Sequence, residues 1–162
     1  MSKKLEKMEK ARQLFLDGAN CAQAVLCAFT EETGLDTATS MKIASGFGGG
    51  MARMREVCGA VSGMFMAYDM ICGTASFTDK EAKDALYKKL QSLAGEFKKE
   101  NSSIICKELL ALSLPSHTPD TPVSEVRTPQ YYRKRPCADL VAAAAGILQE
   151  ELNVIVQEKG SF

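Results

Sequence analysis

The chain has 162 residues, the usual size of a single domain, and 46% of them are hydrophobic, which is enough to form a core without disulfides or metals. Twenty basic residues balance twenty acidic ones, so no global field attracts nucleic acid or an anionic membrane surface. His117 is the single histidine, which disfavours mechanisms that use histidine as the general base.

The N-terminal residues are charged and lack the apolar segment of a secretory signal. The longest apolar stretch, residues 57–72, contains Asp69 and is too short to cross a membrane. We therefore expect a cytoplasmic protein that does not associate with membranes. Structural disulfides are rare in that compartment, so the six cysteines favour metal or redox chemistry.

Apolar residues recur at helical spacing along most of the chain, and no segment alternates with the period of a strand. The pattern predicts an all-α, single-domain bundle of about six to seven helices over residues 1–162. The predicted helices cover approximately residues 3–17, 20–34, 37–45, 55–72, 78–97, 102–110 and 136–157. Asn20 is a favourable N-cap for the second helix, and Gly34 is a favourable residue at its end.

Residues 113–136 form a long proline-rich loop in this prediction, because all five prolines of the chain lie there. A loop of this length in a compact domain is usually either functional or disordered. It contains His117 and the basic run Arg133-Lys134-Arg135.

Three cysteines are predicted at or near the starts of helices. Cys21 follows Asn20, Cys137 follows Pro136, and Cys58 falls in or near a first turn. The N–H groups of a helix N-terminus and nearby cations stabilise a thiolate, so we expect Cys58 or Cys137 to have a lowered pKa.

The other three cysteines have different predicted positions. Cys106 is expected in the middle of its helix. Cys72 would lie ~21 Å from Cys58 along one helix, and Cys27 would face about 120° away from Cys21. Cys27 and Cys72 are therefore expected to be packing residues.

Cys21, Cys58, Cys106 and Cys137 are either buried packing residues or the ligands of one site. No CxxC pair is present, which excludes a zinc ribbon and a thioredoxin motif. One cysteine from each of four helices can still converge in a bundle, as ligands do in helical metal sites. Four thiolates would suit an iron–sulfur cluster or zinc.

Glycines mark a second set of candidate residues. Gly59 and Gly63 share one helix face, where they permit close approach of either another helix or a cofactor. The run from Gly46 to Gly50, followed by Arg53, is either an anion-binding nest or a tight loop that leads to Cys58. The candidate cofactor-binding residues are Gly49, Gly50, Arg53, Gly59 and Gly63.

Four blocks of sequence carry a family resemblance. They are residues 20–26 (NCAQAVL), 48–53 with 58–63 (GGGMAR and CGAVSG), 106–110 (CKELL) and 137–141 (CADLV). In this order the blocks resemble the C_GCAxxG_C_C family, which is described as redox-active. The resemblance implies that Cys21, Cys58, Cys106 and Cys137 are the functional set. It also implies a bound redox group and a partner among oxidoreductases or transporters.

These observations favour a four-cysteine redox site, and the first interpretation is an iron–sulfur or other metal centre for electron transfer. The alternatives are a metal-free dithiol–disulfide protein and a structural bundle that binds a partner. Zinc or no cofactor is the alternative to the iron–sulfur cluster, and the sequence is compatible with a homo-oligomer. The 113–136 loop is expected to lie over the four cysteines and to control access to them.

Overall fold

A computed structural model describes residues 1–112 and 121–160, and in these ranges it is an all-α bundle. No strand occurs in the described residues, where one isolated antiparallel bridge joins Val57 to Ile105. The helices are α1 (Lys3–Leu16), α2 (Cys21–Ala28), α3 (Thr30–Thr33), α4 (Thr37–Ala44), α5 (Gly59–Cys72), α6 (Lys80–Asn101), α7 (Cys106–Ala111), α8 (Pro129–Lys134) and α9 (Cys137–Lys159). The predicted fold class is confirmed.

The described ranges hold nine helices, more than the six to seven predicted. Two differences account for the number. The predicted second helix is divided at Phe29, whose backbone leaves helical geometry and ends α2 before α3 begins. The predicted proline-rich loop contains α8, which Thr128 caps by accepting a hydrogen bond from the Tyr131 amide, and Pro129 is its first residue. Proline fits the first helical position because that residue needs no N–H partner.

The start of α7 also differs from the prediction. The chain leaves α6 at Ser102, which has a left-handed φ of 81°, and Ile105 then pairs with Val57. Helix α7 begins only at Cys106, so the expectation that Cys106 lies in the middle of a helix was wrong. The cause is a contact between segments that are far apart in sequence, which helical periodicity does not report.

The core lies between α9 and the helices that pack against it. Helix α9 packs chiefly on α1, and α2 packs on α5. Phe15, Phe29 and Phe97 are fully buried in this core together with the small residues of α9. Small residues let neighbouring helices approach closely, and this packing fixes where the first turns of α2, α5 and α9 lie.

Gly63 shows how closely α2 and α5 approach each other. A Cβ atom at Gly63 would lie 2.6 Å from the carbonyl oxygen of Ala22, which is far inside van der Waals contact. The close neighbour of Gly63 is thus the backbone of α2. This contact positions Cys21 beside the start of α5.

None of the helices in residues 1–112 and 121–160 combines the length and the apolar character that a membrane crossing requires.

We predict that Gly63→Ala lowers the free energy of unfolding by about 1–3 kcal/mol, because the added methyl group forces α2 and α5 apart. Urea denaturation followed by circular dichroism measures this change. Gly95→Ala in α6 is the matched control, since a Cβ atom there would meet no neighbouring segment within 4 Å. At that position the loss of backbone freedom in the unfolded chain should raise stability by about 0.5–1 kcal/mol. Equal effects of the two substitutions would contradict the close packing of α2 on α5.

Candidate functional site: a cavity lined by four cysteines

Four of the six cysteines line one cavity of about 340 Å³. Cys21, Cys106 and Cys137 are the first residues of α2, α7 and α9, and Cys58 is the N-cap of α5. All six cysteines of the chain are free thiols. The cavity therefore brings together the four cysteines that the sequence singled out, each at the start of its own helix.

Cys27 and Cys72 do not line the cavity. Cys27 lies in the last turn of α2 and Cys72 is the final residue of α5. Burial raises the pKa of both thiols. Their positions fit the packing role expected for them.

Short backbone pairing holds the segments of Cys58 and Cys106 side by side. The Cys58 amide donates to the carbonyl of Ile104 at 2.7 Å, and the Cys106 amide donates to the carbonyl of Glu56 at 2.6 Å. In antiparallel pairing of this register, Cys58 and Cys106 are diagonal neighbours on one face, with Cα atoms about 7–8 Å apart. A direct disulfide needs about 4.4–6.8 Å, so joining these two residues requires backbone movement.

Two glycines give the chain room beside the thiols. A Cβ atom at Gly50 would lie 2.5 Å from the Cβ atom of Cys106, and one at Gly59 would lie 3.0 Å from that of Cys21. Gly49, Gly50, Gly59 and Arg53 all line the cavity. Gly63, the remaining candidate, does not line it and packs against α2 instead.

The glycine-rich loop folds into a left-handed turn. Residues 49–53 all have positive φ, including the non-glycine residues Met51, Ala52 and Arg53 at 66°, 50° and 65°. This conformation costs roughly 1–2 kcal/mol for each non-glycine residue. The amides of residues 52–56 donate to carbonyl groups within the same loop or turn. These five amides are therefore used within the loop, and an anion-binding nest at residues 46–50 stays a prediction.

Cys137 differs from the other cavity thiols in its ionisation. Its pKa is lowered, first by a hydrogen bond from Cys21 and further by Arg135, Arg127 and Arg55, against the opposing effect of burial. The pKa of Cys21 is raised well above its usual value by the same hydrogen bond, by burial and by the charge of Cys137. Cys137 is therefore the thiol of this pair that ionises more readily, and Cys21 is the one that keeps its proton.

Burial dominates at the remaining two thiols. It raises the pKa of Cys58 to about 12, and the amides of Ala60 and Val61 offset only part of the shift. It also raises the pKa of Cys106, although the Arg55 Nη1 atom lies 3.9 Å from the sulfur. Of the two residues for which a lowered pKa was expected, Cys137 has it and Cys58 does not, because helix N–H groups alone do not outweigh the loss of solvent at Cys58.

Sequence reasoning found only part of the charged wall of the cavity. Arg127, Arg135 and Glu125 line it, and all three come from the segment predicted as a loop. The Arg127 guanidinium donates to the carbonyls of Phe15 and Ala19 and lies 4.5 Å from the Phe15 ring. The basic run at residues 133–135 was a visible signal for Arg135, but no local pattern pointed to Glu125 or Arg127.

The described part of the predicted loop, residues 121–136, borders the four cysteines. Pro122, Ser124 and Tyr131 also line the cavity. This position agrees with the expectation that the segment lies over the site. His117 and the rest of residues 113–120 lie outside the described residues, and control of access stays a prediction.

Whether a metal fits the cavity depends on how its four cysteines are arranged. Within residues 1–112 and 121–160, no three or more His, Cys, Asp and Glu side chains are arranged to hold a metal ion. A zinc or iron–sulfur site needs several sulfurs about 2.3 Å from the metal. The four thiols share a cavity in this arrangement but do not form a ligand set.

Comparison with known families gives one match. The model of the family described as "Putative redox-active protein (C_GCAxxG_C_C)" matches residues 19–151, a range that includes all four cavity cysteines. Comparisons with curated proteins and with solved structures give no match.

We predict that Cys137 reacts first with limiting iodoacetamide at neutral pH, because its lowered pKa gives it the largest thiolate fraction. Its alkylation rate should rise with pH through an apparent pKa below the usual 9.0 of a cysteine. Peptide mass spectrometry measures the order of labelling. Cys72 is the internal control, since it is the most exposed of the six thiols yet has a raised pKa. Faster labelling of Cys72 would contradict a thiolate at Cys137.

Proposed function

The chain belongs to the C_GCAxxG_C_C family, since the family match covers most of its length, and on this premise we propose that it is a dithiol–disulfide redox protein. Cys137 is the attacking thiolate and Cys21 is the resolving thiol. The observation that carries the proposal is that Cys21 and Cys137 begin two helices at one cavity, where their interaction lowers the pKa of Cys137 and raises the pKa of Cys21. A thiolate is the nucleophile in thiol–disulfide exchange.

The exchange proceeds in two steps with an external disulfide, R–S–S–R′, as the oxidant. The Cys137 thiolate attacks one sulfur, forms the mixed disulfide Cys137–S–S–R and releases R′–S⁻, which takes the proton of Cys21. The resulting Cys21 thiolate attacks the sulfur of Cys137 and releases R–S⁻. Two electrons pass from the protein dithiol to the external disulfide, and one disulfide bond replaces another.

The geometry supports Cys21 as the resolving residue over Cys58 and Cys106. Cys21 and Cys137 are the first residues of α2 and α9 and line the same cavity, and each thiol is the largest influence on the pKa of the other. At Cys58 and Cys106 burial is the main influence on the pKa, and Cys137 acts on these two thiols more weakly, through its charge. We assign Cys58 and Cys106 the role of neutral neighbours that confine negative charge to Cys137.

A metal centre for electron transfer is the second candidate function. The observation in its favour is the convergence of four thiols on one cavity. We rank it second, because the described residues contain no group of three or more side chains arranged to hold a metal ion. The cytoplasmic location and a partner among oxidoreductases or transporters belong to both candidates and stay predictions.

We predict that a mild disulfide oxidant joins Cys21 to Cys137 in the reduced protein. Non-reducing peptide mapping identifies the linked peptides. Cys21→Ala should leave Cys137 as a persistent mixed disulfide and raise the pH at which Cys137 is alkylated, because the donor to its thiolate is lost. Cys27→Ala with Cys72→Ala is the matched control and should still form the link. A dominant link between any other two cysteines would contradict the assignment.

Anaerobic purification separates the two candidate functions. For dithiol exchange we expect four titratable cavity thiols, no visible charge-transfer band and less than stoichiometric metal by elemental analysis. The Cys27→Ala, Cys72→Ala variant serves here too, because it removes the thiols outside the cavity. A visible band with stoichiometric iron, lost when Cys58 or Cys106 is replaced by alanine, would favour the metal centre.

A further inference from the structure

Three arginines surround the Glu125 carboxylate at the wall of the cavity. Its Oε1 atom lies 3.7 Å from Nη2 of Arg53 and 3.9 Å from Nη2 of Arg55, and it pairs closely with Nη2 of Arg135. The arginine side chains are 16%, 3% and 7% exposed, whereas that of Glu125 is 40% exposed. Three largely buried cations therefore meet one anion that is accessible to solvent.

Positive charge outnumbers negative charge in the described lining of this cavity. Four arginines line it, and Glu125 is the one acidic side chain among the described lining residues. Even with Arg55 left aside, Arg53, Arg127 and Arg135 exceed the charge of Glu125 and the Cys137 thiolate together. Buried cations are costly unless an anion compensates them, so this lining favours a further negative group.

Glu125 is placed where an incoming anion can replace it. It lies in the non-helical stretch between residue 121 and the start of α8, outside the helical framework. The same stretch contacts Arg53, whose Nε donates to the carbonyl of Thr121 at 2.8 Å. A carboxylate on a loop, already partly hydrated, is displaced at lower desolvation cost than one fixed within a helix.

The arginines that contact Glu125 also adjoin the thiols. Arg55 reaches both the Glu125 carboxylate and the Cys106 sulfur, and Arg135 contributes to the field at Cys137. A volume of about 340 Å³ is at the small end of ligand pockets. The size of the cavity therefore limits the ligand to a small molecule. If its anionic group binds in place of Glu125, its other atoms lie beside the thiols.

We propose that the cavity takes a small disulfide with a carboxylate near its sulfurs, and that this carboxylate displaces Glu125 from Arg53 and Arg135. The inference rests on the proposed dithiol exchange and names its substrate class. The carboxylate is unchanged in the reaction. Cys137 attacks the disulfide of the small molecule, and the bonds that form and break are the S–S bonds of the two exchange steps described above. Bidentate pairing of arginine with a carboxylate supplies the recognition.

Three disulfides with similar cores and different charges test the proposal. Reduced protein is oxidised at low ionic strength by 3,3′-dithiodipropionate, by bis(2-hydroxyethyl) disulfide or by cystamine. Formation of the Cys21–Cys137 link is timed, and each rate is divided by the rate of the same reagent with a short unstructured cysteine peptide. The anionic reagent should react about tenfold faster than the neutral one, and the cationic reagent slowest. The formal net charge of the chain is zero, so a global field does not create this order.

Two variants locate the selectivity. Arg53→Gln should reduce the ratio of anionic to neutral rates. The arginines that lower the pKa of Cys137 are Arg135, Arg127 and Arg55. Replacing Arg53 therefore tests binding of the carboxylate and not the reactivity of Cys137. Glu125→Gln should raise the rate with the anionic reagent, since a competing carboxylate is gone. Lys99→Gln, an exposed charge on α6, is the matched control and should leave the ratio unchanged.

The outcomes separate this inference from the function on which it rests. If no reagent oxidises the Cys21–Cys137 pair, the dithiol function is overturned. If all three react at equal normalised rates, or Arg53→Gln keeps the full ratio, the carboxylate preference is overturned and dithiol exchange stands. A slower anionic reaction in Glu125→Gln would overturn displacement of Glu125. If a variant misfolds, the unmodified protein is titrated with potassium chloride instead. Added salt screens the arginines, so the oxidation rate with the anionic reagent should fall toward the rate with the neutral reagent, and an unchanged ratio would overturn the carboxylate preference.

Discussion

Only one of the four thiols around the cavity readily carries a negative charge, and the chemistry of the site depends on this constraint. Burial is the main cause that raises the pKa of Cys58 and Cys106, and interaction with Cys137 followed by burial raises that of Cys21; the charge of Cys137 adds to the shift at all three thiols. Coulomb repulsion between like charges is strong where water is excluded, so a second thiolate is costly. The cavity therefore holds one nucleophile among three neutral thiols, which is the arrangement that stepwise exchange requires.

The identity of that thiolate follows from what each helix start provides. Cys58 has helix N–H groups near its sulfur, and burial still raises its pKa to about 12. Cys137 has a thiol donor and the guanidinium groups of Arg135 and Arg127, which together outweigh burial. A helix N-terminus stabilises an anion by a fraction of a charge, whereas a guanidinium supplies a full one. The segment before α9 thus determines which cysteine is reactive.

Local sequence signals predicted the parts of this structure that local interactions form. Helical spacing gave the all-α class, and the side chain of Asn20 caps α2 as expected, with Gln23 completing a capping box. The start of α7 was missed because it depends on Val57, which is distant in sequence. Glu125 was missed for the same reason: its role comes from arginines on other segments. The grouping of the four cysteines came from a family resemblance, since spacing alone could not distinguish a shared site from separate packing positions.

Oxidation of the proposed pair changes the charge of the cavity. A disulfide between Cys21 and Cys137 is neutral, so the arginines that stabilised the thiolate lose that anion and attract a carboxylate more strongly. By reciprocity, a bound carboxylate favours the oxidised form to the same extent. A thiol product that keeps its carboxylate would then be held in the cavity after exchange. Glu125 counteracts this retention because it is part of the same chain, and its carboxylate is present at a high effective concentration beside Arg53 and Arg135. The acidic side chain that competes with an entering substrate is therefore also the group that promotes release of the product.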